Sequence, residues 1–195
     1  MAMGSSQRLT FIIMSIFTAV MLVGYGVLRV VTKGPCEHFS GTSNFEVAKY
    51  KGSWYELKRD KDNFFETGEC VTAEYGDDGS YVSVKNTEYF PKTDKKSDIL
   101  GYAVANTWTK GLIGVVFGGG FLADYRVMAT DHTSYAIVYS CTAFGPYRAQ
   151  ENVWLLGRNK LEENSADWTA LLAIVDPLYK KLLPDWDYAK NMKVV

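Results

Sequence analysis

From Gly52 to Arg158 the chain is a succession of short segments rich in Val, Tyr, Thr and Ile, separated by turn signals at close and regular spacing. "GSWYELKR" comes first, and "CVTAEYGDDGSYVSVKNTEYF" follows as a hairpin with Gly76 to Gly79 at its tip. Then come "ILGYAVANTW", "LIGVVF", "FLADYRVMATD", "SYAIVYSC" and "ENVWLLGR". Eight short strands without an intervening helix favour an all-β sandwich or barrel. Alternation assigns faces in places. In "YRVMAT", Tyr125, Val127 and Ala129 share one side, and Arg126, Met128 and Thr130 share the other. The opening segment alternates badly, with Trp54, Glu56 and Lys58 set against Tyr55, Leu57 and Arg59.

One helical pattern follows the strands. Trp168, Leu171, Leu172 and Val175 recur at helical spacing behind Asn164 and Ser165, either of which can cap. Pro177 is expected to stop this helix, and Asp176 to cap a second short turn through "PLYKKLL". A helix with one apolar face should pack on the outside of the sheet.

The amino-terminal part is different in kind. Leu9 to Leu28 is a run of twenty positions without a charge, and a bilayer core demands about 20 apolar residues. A secretory signal has a shorter apolar region ending in small residues, so a transmembrane helix is expected within residues 1–31. Residues 32–47, rich in Gly, Pro, Ser and Thr, read as a tether, and residues 48–195 as the folded domain. Arg8 on one side of the run faces Arg29 and Lys33 on the other, so flanking charge does not orient it.

Several functions are set aside. The formal net charge is −1, without a basic stripe, which excludes nucleic acid as a partner. Cys36, Cys70 and Cys141 are too far apart for a zinc cluster, and two histidines add little, so no metal is expected. An odd count of cysteines allows one disulfide and leaves one thiol. "GGGF" at Gly118 to Phe121 is the tight turn of a hairpin rather than a phosphate cradle, because a strand and not a helix follows. Asp131 and His132 are adjacent and form no triad. "PKTDKKSD" reads as a solvated loop.

At this point the residues carry a resemblance. "YKGSWYELKR" resembles the Gly-x-Trp signature of the lipocalin family, with Gly52 and Trp54 in its defining places. "MATDHTSYAIVYSC" resembles the family's Thr-Asp-Tyr turn, here Thr130 and Asp131 with His132 in place of the tyrosine, and "VWLLGRN" resembles its last strand with Arg158. The likeness is greatest to the apolipoprotein D-like and bacterial branch. It implies an eight-stranded antiparallel up-and-down barrel with a C-terminal α-helix, here preceded by the N-terminal transmembrane helix. Arg158 should lie across Trp54 at the closed end. The same resemblance implies a disulfide between Cys36 and Cys141, with Cys70 free.

The function implied is a membrane-anchored protein that binds a small hydrophobic, lipid-like ligand in the barrel, without a resident cofactor. The resemblance assigns Tyr75, Tyr125 and Trp154 to the ligand, with Val127, Ala129 and Leu156 as neighbours. A second reading is an accessory subunit of a large membrane assembly such as a mitochondrial respiratory complex. The chain has no Asn-x-Ser/Thr acceptor, which favours a mitochondrial intermembrane-space or bacterial periplasmic setting over the secretory pathway; the mitochondrial inner membrane and intermembrane space are the expected location, with the periplasm and the secretory pathway as alternatives. An enzyme reading rests on Cys70 alone. A lone cysteine is more often a small hydrophobe than a nucleophile, so no catalysis is expected.

Overall fold

A computed structural model describes residue 36 and residues 39–63, 66–105, 109–118, 120–144 and 147–195. The expected transmembrane helix lies outside these residues. Among the described residues no helix is long and apolar enough to cross a membrane. The chain divides into one unit of Met1–Cys36 with Ala143–Ala149 and a second of Glu37–Thr142 with Gln150–Val195. The second carries the inner core, the cavity and the C-terminal helix described below.

A short helix α1 (Val47–Tyr50) leads into β1 (Gly52–Asp60), β2 (Glu69–Asp78), β3 (Tyr81–Phe90), β4 (Lys95–Ala105), β5 (Leu112–Phe117), β6 (Phe121–Thr130), β7 (Tyr135–Phe144) and β8 (Tyr147–Gly157). After these come α2 (Ala166–Leu182), α3 (Tyr188–Asn191) and a three-residue strand β9 (Met192–Val194). The sheet order is β2-β3-β4-β5-β6-β7-β8-β1-β9, and β1 also pairs with β2. That last pairing closes an antiparallel up-and-down barrel. The hairpin between β2 and β3 turns at Gly79 and Ser80, with Gly79 at φ +67° where a side chain would be strained. The segment expected as a charged loop is only half loop, because β4 begins at Lys95. β9 was not expected: it pairs with Lys58, Arg59 and Asp60 of β1, beyond the stretch Gly52 to Tyr55 that pairs with β2.

Two β-bulges account for the strands whose alternation misled. In β1 the register shifts between Glu56 and Lys58, so that Glu56 stands opposite Leu156 and Arg59 opposite Trp154. Trp54, Glu56 and Arg59 therefore face the interior, while Leu57 packs with the outer cluster. In β6 the shift falls between Val127 and Ala129. Tyr125 and Val127 keep the inner face, but Ala129 turns outward and packs with the cluster under α2. Tyr125, Val127 and Ala129 thus do not share one side. An extra residue inverts every later side chain of a period-2 strand.

The outer face of β1 and β6–β8 is covered by α2. Ile137, Tyr139, Val153 and Leu155 meet Trp168, Leu171, Val175 and Tyr179 there, while Val138 and Leu156 point inward. Ser165 caps α2, its hydroxyl accepting from Trp168 N–H at 3.1 Å. Pro177 does not end the helix, and Asp176 does not cap a second one. The helix continues through both to Leu182. Pro177 forfeits one backbone hydrogen bond, yet continuing the stripe buries Tyr179 and Leu183 and lets the Tyr179 hydroxyl donate to Trp154 O at 3.2 Å.

The floor of the barrel is built around Trp54, which is fully buried. The Arg158 guanidinium carbon lies 3.7 Å from its ring centroid. Arg158 also donates to His132 O (3.0 Å), Ser53 O (3.0 Å), Lys49 O (2.7 Å) and Tyr50 O (3.2 Å). One side chain thereby ties α1, β1 and the β6–β7 turn to the end of β8. Gly52, at φ +95°, begins β1 beside this guanidinium. His132 accepts from Glu46 N–H at 3.1 Å, so the departure from the family's tyrosine joins the turn to the approach segment.

Asp131 holds that turn. Its Oδ1 accepts from the N–H groups of Thr133 (3.0 Å), Ser134 (2.8 Å) and Tyr135 (3.1 Å), and Oδ2 accepts from the Ser134 hydroxyl. Partial burial pushes the carboxyl up, but these donors outweigh it and hold the group below its ordinary value. Asp131→Ala is expected to cost about 1–2 kcal/mol at neutral pH, the scale of a lost cap. Because the folded-state value is depressed, that stability is present above the ordinary carboxylate range and is lost as pH falls through the lowered value. Denaturant melts of both proteins along a pH series check this, the gap between them closing in acid.

Candidate functional site

Inside the barrel, above the Trp54 floor, three tyrosines meet at one point. The Tyr125 hydroxyl lies 2.9 Å from that of Tyr50 and 3.0 Å from that of Tyr75, with Tyr75 donating to Tyr125. Inward alternation on the closed sheet brings Tyr75 of β2 and Tyr125 of β6 together, and α1 delivers Tyr50 to them. Tyr50 in turn stacks toward Trp54, whose indole N–H donates to Tyr50 O at 2.8 Å. Burial pushes all three phenols up, Tyr75 to about 12. They are neutral hydrogen-bonding groups at any physiological pH.

Beyond the tyrosines is a cavity of about 100 Å³. Tyr75, Tyr125, Trp154 and Leu156 line it together with apolar side chains such as Val71 and Val115. Val127 lies in the packed inner core rather than on the cavity wall, and Ala129 lies outside the barrel. Of the six residues the resemblance assigns to a ligand, four thus stand on the cavity wall, one in the core behind it and one on the opposite face. A drug-sized ligand usually occupies ~300–1,000 Å³. This space suits a compact molecule, or one segment of a longer one.

What the sequence reading missed is the charged end of the cavity. Glu56, Arg59 and Glu88 are buried there, and Glu66 joins them from the β1–β2 loop. Glu66 Oε2 accepts from Trp154 Nε1 and from Asn63 Nδ2, each at 2.8 Å, and Glu88 accepts from Gly68 N–H at 2.8 Å. Arg59 Nη2 donates to Gly68 O. Arg59 Nη1 stands 3.2 Å from Glu56 Oε1 as an ion pair, but the two are not aligned as a hydrogen bond, and neither atom has another partner. Burial pushes the Glu56 carboxyl well up, with Glu66 adding to the rise and Arg59 opposing it. Glu66 is raised as well, again by burial, against the pull of Trp154 and Arg59. The available signal was Glu56 on the face of Trp54: once Trp54 is an interior residue, a carboxylate two positions on is interior too.

The cysteines separate by environment. Cys36 and Cys141 are disulfide-bonded, and Cys70 carries a free thiol. Cys70 is exposed on β2 and is not among the residues of the cavity wall, whereas its neighbour Val71 is. A nucleophile for a ligand in the barrel would have to face the other way.

Comparison with known proteins agrees with this architecture. Residues 45–177 match the family model described as a lipocalin-like domain. Apolipoprotein D of Bos taurus is 36% identical over 129 residues, covering 65% of this chain and 67% of that protein. The bilin-binding protein of Pieris brassicae is 26% identical over 143 residues, covering 72% and 76%. Among solved structures, insecticyanin from the tobacco hornworm Manduca sexta superposes with a TM-score of 0.68 at 21% identity, over 83% of this chain and 85% of that one.

Proposed function

Because the chain belongs to the lipocalin family, we propose that it binds a compact, mostly apolar molecule in its barrel and is held at a membrane by its amino-terminal apolar run. The observation that carries the ligand reading is the cavity itself. Its wall is largely apolar, while tyrosine hydroxyls stand on one side and the Glu66–Trp154 pair on the other, the few-polar-groups pattern of a small-molecule site. A relative whose name says that it binds bilin supports the same reading. Binding rather than catalysis is favoured by the outward position of Cys70. The uncharged run of Leu9 to Leu28 supports the anchor. The disulfide-bonded Cys36 and Cys141 support an oxidising compartment. Within that class the absence of glycosylation acceptors in the sequence favours the mitochondrial intermembrane space or a bacterial periplasm over the secretory pathway.

The test is native mass spectrometry of the full chain, released from nanodiscs after incubation with a panel of compact apolar compounds. A single bound molecule per chain is expected. Ala73 lines the cavity, and Ala73→Leu fills it, so this variant should bind about tenfold more weakly or worse while keeping its far-UV circular dichroism. Failure of every compound to bind, or equal binding by the filled variant, would exclude the barrel as a ligand site.

A second reading, the accessory subunit of a membrane assembly, is favoured by one surface. Leu100, Tyr102 and Val104 alternate outward on β4, and Leu122 stands outward on β6 across Val116 from Tyr102; Leu100 and Leu122 are each 66% exposed. Contiguous apolar surface of this kind marks interaction sites. Stable co-purification with larger membrane subunits after mild solubilisation is the expected sign, and a monodisperse monomer counts against it.

A further inference from the structure

The charged end of the cavity has an imbalance that an apolar ligand alone leaves unanswered. Three carboxyl groups, Glu56, Glu66 and Glu88, lie near one another, with the Arg59 guanidinium acting on Glu56 and Glu66 and Lys193 acting more weakly on Glu56. Of these, only Glu56 and Glu66 belong to the cavity wall, and Arg59 does not. The two charged groups that a ligand would meet are therefore both acids. The Arg59 guanidinium is turned toward Gly68 O and Glu56 instead. Glu56 is 6% exposed, and its Oε1 accepts no hydrogen bond; the buried carboxamide oxygen of Asn86, another wall residue, accepts none either. A buried acceptor without an aligned donor is costly, more so for Asn86 than for Glu56, which keeps Arg59 Nη1 at 3.2 Å as an ion pair, and a ligand that brings a donor reduces that cost.

We infer that the cavity selects a compact apolar molecule ending in a protonated amine, whose ammonium sits against Glu56 and Asn86 while its hydrocarbon part lies among Tyr75, Trp154 and Leu156. This rests on the proposed ligand-binding role and adds the chemical class. A carboxylate-ended ligand meets the opposite situation. It would bring a fourth acid into a group of three, with the only nearby guanidinium off the cavity wall. An ammonium answers the excess, and charge-assisted hydrogen bonds to a buried carboxylate are the stronger kind.

The proton count follows from the surroundings of Glu56. Facing it are Arg59 of β1, Glu66 of the β1–β2 loop, Glu88 of β3 and Lys193 of β9, with burial the largest influence on its carboxyl. Burial favours the neutral acid. An arriving ammonium favours the carboxylate, so any proton held by Glu56 goes to solvent as the ammonium pairs with the anion.

Three probes of one length separate the possibilities: n-hexylamine, 1-hexanol and hexanoate, titrated by calorimetry near neutral pH into the full chain in nanodiscs, with empty nanodiscs as the blank. Hexylamine is expected to bind about tenfold or more tightly than hexanol, and hexanoate more weakly than hexanol. Any difference in the heat of amine binding between phosphate and Tris buffers counts the protons that Glu56 releases, and hexanol should show no such difference. Glu56→Gln should lower hexylamine affinity to that of hexanol, with hexanol affinity unchanged as the sign that the variant is folded. The comparison of the three probes on the unmodified chain stands whether or not that variant folds. Equal binding of hexanol and hexylamine, or tightest binding of hexanoate, overturns the inference and leaves the apolar-ligand reading intact. Binding of none of the three overturns both.

Discussion

Trp54→Ala is expected to cost about 3–5 kcal/mol, the range for truncating a buried aromatic, and to lower the melting temperature by roughly 10 °C or more for a domain of this size. The reason is the number of elements that meet at one ring. Trp54 is fully buried, stacks under Arg158 at 3.7 Å and donates to Tyr50 O, and it lies on the part of β1 that closes the sheet onto β2. The cation–π contact is worth ~1–2 kcal/mol where water is partly excluded. Trp54→Phe keeps a ring under the guanidinium and loses the indole donor, so it should cost about 1–2 kcal/mol. Neither variant touches the cavity wall. Among molecules still folded, ligand affinity should stay close to that of the unmodified chain. Denaturant melts followed by far-UV circular dichroism check the stabilities. Wild-type melting in Trp54→Ala would show that the floor does not hold the barrel shut.

The same residue shows what was legible in the sequence and what was not. Short strands, their turns and the stacked Arg158 all came from local pattern or from resemblance, because turn residues and a signature tryptophan act over a few positions. The faces of β1 and β6 did not. Each strand contains a bulge, and each is covered on both sides over part of its length, inside by the barrel core and outside by α2. Period-2 reading assumes an unbroken pleat with one wet face, and Ala129 was misplaced for that reason. Pro177 misled in a different way. Its local cost is real, but burial of Tyr179 two residues later outweighs it, and burial is a property of the neighbours rather than of the helix. Arg59 was illegible until the β1 bulge was known, since only the bulge brings it to the face of Glu56.

Arg59→Met tests whether that buried guanidinium is what allows carboxylates inside the barrel. Methionine keeps most of the volume and removes the charge. Glu56, Glu66 and Glu88 then have no nearby cation from β1, and breaking a buried ion pair from one side costs ~3–5 kcal/mol. The dependence on pH identifies the cause. Glu56 and Glu66 are already raised above their unfolded values, chiefly by burial; Arg59 opposes the rise at both, with Lys193 helping at Glu56 and the Trp154 hydrogen bond pulling harder at Glu66. Removing Arg59 raises them further. A group raised in the folded state contributes stability that is fully present below its unfolded value and is lost as pH rises through the folded one. The gap between the variant and the unmodified chain should therefore be smaller at pH 5 than at pH 8, with the ~3–5 kcal/mol cost of an unpaired buried charge reached only above the raised folded values, on top of a pH-independent loss of the Arg59 hydrogen bond to Gly68 O. A lost packing contact would give the same gap at both pH values, because no proton is involved. Equilibrium melts at the two pH values decide: a constant gap would mean that Arg59 fills space, and a widening one that it carries the charge on which the polar end of the cavity depends.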